Sequence, residues 1–264
     1  MDLLELLKAL VLGIVEGLTE FLPISSTGHL IIAGHLLDFT GERAKTFEIF
    51  IQLGSILGVM WFYRAKLLGL ATGLSRPPAQ RFVLNLFVAF LPAAVLGLLL
   101  HATIREHLFN PVSVALALIA GGIAILVIER LPRRDRVSDM AALTTLDAFK
   151  VGIAQTFALF PGVSRAGATI MGGLLSGFSR TVATEFSFFL AMPTMLAATL
   201  YDLYKSRGFL SADDTMLFGV GFVSAFVSAL LVVKLFLAYV ARHNFSVFAY
   251  YRIGFGLLVL AYFW

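Results

Sequence analysis

Apolar residues fill six long stretches of the chain, about 46 to 63, 82 to 100, 112 to 128, 184 to 204, 215 to 240 and 247 to 264. Each approaches or exceeds the roughly 18 to 20 residues that cross a bilayer as a helix. None alternates with the period of two that a barrel strand requires. Two further stretches, 8 to 39 and 147 to 180, are apolar but broken halfway by "LPISSTGH" and "FPGVSRAGAT". Each half is too short to cross alone, and non-helical backbone survives at membrane depth only where protein or a water-filled cavity satisfies it. The pattern predicts an all-α integral membrane protein with about six full transmembrane helices and two re-entrant helix-turn-helix hairpins.

Sliding the sequence against itself by 139 residues pairs the two broken stretches: Gly13 meets Gly152, Phe21 meets Phe160, Ser25 meets Ser164, Gly28 meets Gly167 and Ile31 meets Ile170. The same offset pairs Gly34 with Gly173, Phe39 with Phe178 and Phe47 with Phe186, and sets Glu16 opposite Gln155. The chain therefore reads as one membrane domain of two repeats, 1–131 and 140–264. A hairpin returns to its starting side and three spans follow it, so the second copy begins on the opposite face and is inverted. Inverted repeats with broken helices form polar sites where the breaks meet. The 64 to 81 connection carries Arg64, Lys66, Arg76 and Arg81, and the 129 to 137 connection carries Arg130, Arg133, Arg134 and Arg136. Positive charge favours the cytoplasm, which puts the open end of the first hairpin on the outer face.

Composition sharpens this picture at three points. Mean hydropathy is +0.91 with 59% hydrophobic and 14% charged residues, which excludes a soluble domain. The net charge of +4 suits basic cytoplasmic loops and gives no basic footprint for nucleic acid. Cysteine is absent, so disulfides, thiolate metal sites and cysteine nucleophiles are excluded and chemistry must use oxygen and nitrogen groups.

Against this background "EGLTEFLPISSTGHL" is dense in polar groups. Glu16 and Glu20 are one helical turn apart on one face, and ionised carboxylates in hydrocarbon need a cavity, a partner or a cation such as Mg²⁺ or Ca²⁺. Pro23 ends the first helix, and Ser25, Ser26, Thr27 and Gly28 stand where the next begins, with free N–H groups suited to phosphate. One hydroxyl alone would be a helix cap. His29 follows within a turn, either as an acid, base or nucleophile, or as a buried histidine bonded to a carbonyl. In the second break Ser164, Arg165, Gly167 and Thr169 occupy the corresponding helix start. Arg165 suits phosphate oxygens, and a salt bridge to Glu16 or Glu20 is its structural alternative. His35, His101, His107 and His243 are expected at interfaces, Glu48 and Glu185 in structural roles or, alternatively, supporting the site or lining its cavity, and Arg180, Lys234 and Arg252 are expected to snorkel. Gly121 and Gly122 would let helices approach closely, within the chain or across a homodimer.

The residues "EGLTEFLPISSTGH" and "PGVSRAGAT", with "AKTFEIFIQLGSIL" and "EFSFFLAMPTM", resemble the bacterial undecaprenyl-diphosphatase family, the bacitracin-resistance phosphatases, over essentially the whole chain. The resemblance implies hydrolysis of undecaprenyl diphosphate to the monophosphate and inorganic phosphate, recycling a lipid carrier for peptidoglycan. It also implies a divalent-cation requirement, residence in the bacterial inner membrane and a site open to the periplasm. Carried over, the glutamate pair is Glu16 and Glu20, the serines are Ser25 and Ser26, the histidine is His29, and the second motif gives Ser164, Arg165 and Thr169. That motif usually reads PGxSRSxxT, and Ala166 replaces its second serine here. Ser26 with His29 as base, His29 itself or a metal-activated water are the open choices of nucleophile. The rival reading is a polyprenyl-phosphate transporter or flippase, which needs the arginine and helix dipoles but not the serine and histidine cluster.

Overall fold

The computed structural model describes residues 3–108, 110–132, 134–206 and 214–263; Arg133 and Trp264, and the side chains of His101 and His107, lie outside the described residues. Helices α1 (Leu3–Thr19) and α2 (Ser26–Leu36) form the first hairpin, and α7 (Thr145–Thr156) and α8 (Arg165–Leu175) the second. At 1.5 Å per residue the 11-residue α2 and α8 are each about 16 Å long, half the hydrocarbon thickness. Between and after them come α3 (Glu42–Phe62), α4 (Arg64–Thr72), α5 (Pro77–His107), α6 (Pro111–Arg130), α9 (Arg180–Ser206), α10 (Thr215–Val240) and α11 (Ser246–Phe263). Five of these, α5, α6, α9, α10 and α11, are long and apolar enough to cross a membrane, and α3 makes a sixth when joined to α4.

Helix α4 is absent from the sequence expectation, which left 64 to 81 as a connection. It bends 71° away from α3 and buries no residue, while Arg64 stacks on the exposed Trp61 ring at 5.1 Å. Its nine residues, with Arg64 and Lys66 among them, lack a span's length and hydropathy, which explains why hydropathy alone did not mark it.

Local chemistry sets the helix starts and stops. Pro77 and Pro111 open α5 and α6, and Asn110 caps α6 through the Ser113 N–H at 2.9 Å. Thr144 and Asp147 form a capping box on α7. Helix α8 begins and ends 139 residues after α2, and both are preceded by a serine at positive φ, Ser25 at 69° and Ser164 at 73°. Both also close alike. Asp38 and Gly177 take left-handed φ of 49° and 82°, and the Phe39 and Phe178 N–H groups return to the Gly34 and Gly173 carbonyls at 2.8 and 3.0 Å.

Packing interleaves the two halves. Helix α1 lies along α10 and α7 along α5, so each hairpin's first helix rests on a span from the other half; α3 meets α9, and α6 meets α11. Glycine makes this possible at equivalent places. A Cβ at Gly13 would fall 2.3 Å from the Gly221 carbonyl oxygen on α10, and one at Gly152 would fall 2.7 Å from the Ala89 oxygen on α5. Gly121 and Gly122 seat α6 on α11 within the chain, against Arg252 and the Ala249 carbonyl.

Candidate active site

The two hairpin breaks meet inside the bundle. Helix α1 ends at Thr19, one residue before the second carboxylate, but the Glu20 N–H still bonds the Glu16 carbonyl at 2.9 Å, so both glutamates keep one face. Glu20 is the hub of the centre. One of its carboxylate oxygens accepts the Ser26 hydroxyl proton, and the other accepts from the Arg165 guanidinium at 3.2 Å. The structural alternative for Arg165, an ion pair with Glu20, is therefore present, and it joins the breaks of the two hairpins.

Arg165 is held from several sides. It donates to the Ser187 carbonyl at 3.2 Å and lies 3.1 Å from the Met195 sulfur, while its guanidinium sits 5.5 Å from the Phe21 ring centroid. Thr169 supports this arrangement rather than facing the centre: its hydroxyl pairs with that of Ser187 at 2.6 Å and with the Arg165 carbonyl at 2.9 Å. At this centre both Glu16 carboxylate oxygens and the Arg165 Nε are buried with no hydrogen-bond partner among the described residues, as are the Ser55 and Tyr63 hydroxyls elsewhere. Leaving such groups unpaired costs about 1–3 kcal/mol each, more when charged. An orphaned acceptor pair and an orphaned donor call for a ligand that brings both positive and anionic groups.

The helix starts differ. The Ser25 side chain makes no cap bond, so the N–H groups opening α2 keep no side-chain partner. At α8 the Ser164 hydroxyl accepts from Gly167 N–H at 3.1 Å. The expectation that both helix starts offer their N–H groups to phosphate is thus corrected for Gly167, whose donor is already used by its own cap. Gly28 is there for contact, because a Cβ would meet Leu118 at 3.1 Å. Thr27 is half-buried beside the open start of α2, and Ala166 points into the apolar core.

His29 is not placed as a base for Ser26. Its Nδ1 lies 2.7 Å from the Ser25 carbonyl oxygen and its Nε2 2.6 Å from the Tyr251 hydroxyl, and the Ser26 proton goes to Glu20 instead.

Arg252 does not snorkel. It is 1% exposed and donates to five carbonyl oxygens: Nε to Leu118, Nη1 to Pro23 and Val163, Nη2 to Ala117 and Gly162. Five N–H groups meet five acceptors. Pro23 belongs to the first break, Gly162 and Val163 to the second, so one side chain ties both to α6. An arginine inside an apolar span is a functional candidate by default, and that rule, applied to Arg165, flags Arg252 equally. Arg180 pairs with Glu129 at 2.6 Å, and Glu185 with Lys66 at 2.9 Å.

Glu16 and Glu20 would supply at most part of a ligand set for a hard divalent cation, Glu20 while also holding Ser26 and Arg165. Glu16 has two free buried oxygens, but no group of three or more His, Asp or Glu converges among the described residues. The remaining ligands would be phosphate oxygens and water.

Fold and centre together define a helical membrane protein built around a buried, charge-paired cluster at the junction of two broken hairpins. Among known proteins this class has a specific match. The chain belongs to the family described as Bacitracin resistance protein BacA, whose sequence model matches residues 9–258. It is 57% identical to an Undecaprenyl-diphosphatase of Methylobacillus flagellatus, covering 100% of both chains. Identity is 60% to one of Dechloromonas aromatica, over 99% of this chain and 96% of the relative. It is 58% to Undecaprenyl-diphosphatase 2 of Rhodospirillum rubrum, over 100% and 97%.

Proposed function

We propose that the chain is an undecaprenyl-diphosphatase of the bacterial inner membrane, releasing inorganic phosphate from undecaprenyl diphosphate and leaving the lipid monophosphate. The observation that carries the chemistry is the pair of orphaned groups flanking the Ser26–Glu20 contact. Arg165 Nε offers a buried donor to a phosphate oxygen, and Glu16 offers two free oxygens to a cation. A bound Mg²⁺ or Ca²⁺, held by Glu16 and Glu20, would neutralise diphosphate oxygens and make the phosphorus more electrophilic.

Ser26 is the nucleophile in this reading. As its oxygen bonds the terminal phosphorus, its proton passes to Glu20, the carboxylate it already faces. The bond from that phosphorus to the bridging oxygen breaks, and the lipid monophosphate leaves with the electron pair. Water then attacks the phosphoserine. Glu20 returns its proton to the Ser26 oxygen, and neutral His29 takes one from the water and releases it to solvent. Arg165 and the open N-terminus of α2 stabilise the charge that develops on the phosphoryl oxygens. Basic connections at 64 to 81 and 129 to 137 face the cytoplasm, which opens the centre to the periplasm.

The test is phosphate release from undecaprenyl diphosphate by detergent-purified protein, with Mg²⁺ or Ca²⁺, with chelator, and with the Arg165→Ala variant. Release that disappears with chelator and in the variant supports the reading. No release from folded protein under any of these conditions overturns it and favours lipid transport.

A further inference from the structure

The two partners of His29 differ in kind. The Ser25 carbonyl oxygen can only accept, so Nδ1 at 2.7 Å carries a proton. The Tyr251 hydroxyl can donate, so in the neutral ring it gives its proton to the Nε2 lone pair at 2.6 Å. Rotation of the ring is blocked as well. Phe255 stacks on it at 4.2 Å between centroids and 12° between planes, and the Tyr251 ring lies 5.6 Å away at 3°.

With Nδ1 committed to backbone, Nε2 is the nitrogen that gains or loses a proton. It faces Tyr251 in the seam between α2 and α11. Tyr251 is 46% exposed there, beside Tyr250 at 60%, on a helix apolar enough to span the membrane. That seam is where a lipid with its chain in the bilayer and its head at Ser26 would leave.

We infer that Tyr251 is a positioning residue for the reaction: its hydroxyl donates to Nε2 of the Nδ1–H tautomer that the Ser25 carbonyl selects, and keeps that nitrogen directed at the α2–α11 seam. The consequence for turnover rests on the diphosphatase reading above; the consequence for the Nε2 hydrogen bond does not. Tyr251 acts through His29, so its contribution to rate vanishes once His29 is gone. A merely structural tyrosine would act independently of His29 and its effect would add.

Two measurements test this, on the full chain in detergent. The first is the nitrogen NMR spectrum of ¹⁵N-histidine-labelled protein, with the His29 signals identified by their loss in His29→Gln. Wild type is expected to show a protonated Nδ1 and an unprotonated, hydrogen-bonded Nε2 on neutral His29, and Tyr251→Phe, which keeps the aromatic ring, the same tautomer with the Nε2 signal moved downfield by loss of its donor. The second is a double-mutant cycle. Tyr251→Phe should lower kcat about tenfold or more with KM within about twofold, and should change His29→Gln by less than about twofold. An unmoved His29 Nε2 signal in Tyr251→Phe, or an equal loss of kcat in both backgrounds, overturns the inference. If the wild type releases no phosphate, or His29→Gln turns over too slowly to measure, the Nε2 signal alone decides. A failed function reading thus stays separate from a failed Tyr251 assignment.

Discussion

Replacing Arg252 by lysine tests how the two breaks are held together. The guanidinium satisfies five carbonyl oxygens with five N–H groups, at 2.9 to 3.3 Å, in a position 1% exposed. A lysine ammonium keeps the charge but has three donors, so at least two of the five carbonyls lose their partner. An orphaned buried acceptor costs about 1–3 kcal/mol, which puts Arg252→Lys about 2–6 kcal/mol below wild type. For a chain of this size each kcal/mol moves the melting temperature by about 2–4 °C, so the fall in Tm is on the order of 10 °C. Arg252→Met loses all five bonds and should fall further or fail to fold. The assay is thermal unfolding of detergent-purified protein, with phosphate release measured below the transition. Because Pro23, Gly162 and Val163 are all clamped, turnover should drop even where Arg252→Lys is folded. A Tm within about 2 °C of wild type, together with normal turnover, would refute the view that this side chain fixes the junction.

Arg165→Ala and Glu20→Ala should each lower turnover at least 100-fold, on the order of the loss seen when one preorganised charge donor or base is removed; near-normal rates in both would sink the site assignment. Ser164→Ala removes a helix cap and should cost about 1 kcal/mol in thermal unfolding, whereas Ser25→Ala, whose hydroxyl caps nothing, should leave Tm unchanged. Gly13→Ala drives a methyl to 2.3 Å from a backbone oxygen and should cost several kcal/mol or block folding, while Gly219→Ala, with nothing within 4 Å, should raise stability by about 0.5–1 kcal/mol. Equal Tm values for the two alanine variants would contradict the packing of α1 on α10.

Much of this was legible in the sequence because hydropathy and helix punctuation are local. The six long stretches and the two breaks follow from runs of apolar residues and from Pro23, Pro161 and Gly162. The start of α2 at Ser26 follows from the serine cluster. Partner choice was not legible, because it depends on where a third element passes. His29 looked free to serve Ser26 until α11 brought Tyr251 to Nε2. Arg252 looked free to snorkel until α6 and both breaks surrounded it with carbonyls. Ser187 sits unremarked in "EFSFFL", yet its carbonyl is one of the groups that hold Arg165. Helix α4 was missed because nine mixed residues carry neither a span's hydropathy nor a strong cap.

The 139-residue correspondence also explains why the site is asymmetric. Ser26 and Arg165 occupy equivalent positions at the starts of α2 and α8, and both converge on the same carboxylate, Glu20, whose own counterpart is the apolar Leu159. Glu16 has Gln155 as its counterpart, and there the amide is satisfied, donating to the Ala89 carbonyl and accepting from Thr194, both at 3.3 Å. Ser55 is the counterpart of Thr194, and its hydroxyl, like the Glu16 carboxylate, is buried without a partner. At these positions the second half finds polar partners, one of them on α5 of the first half, and it contributes a cation, while the first half leaves Glu16 and Ser55 open and contributes carboxylates. Two identical halves would have gathered charges of one sign in a low-dielectric interior, at a cost of several kcal/mol per unpaired ion. Dividing the signs between the halves lets the breaks attract each other at Glu20 and leaves open acceptors on the first half and an open donor, the Arg165 Nε, on the second, where a ligand can be selected.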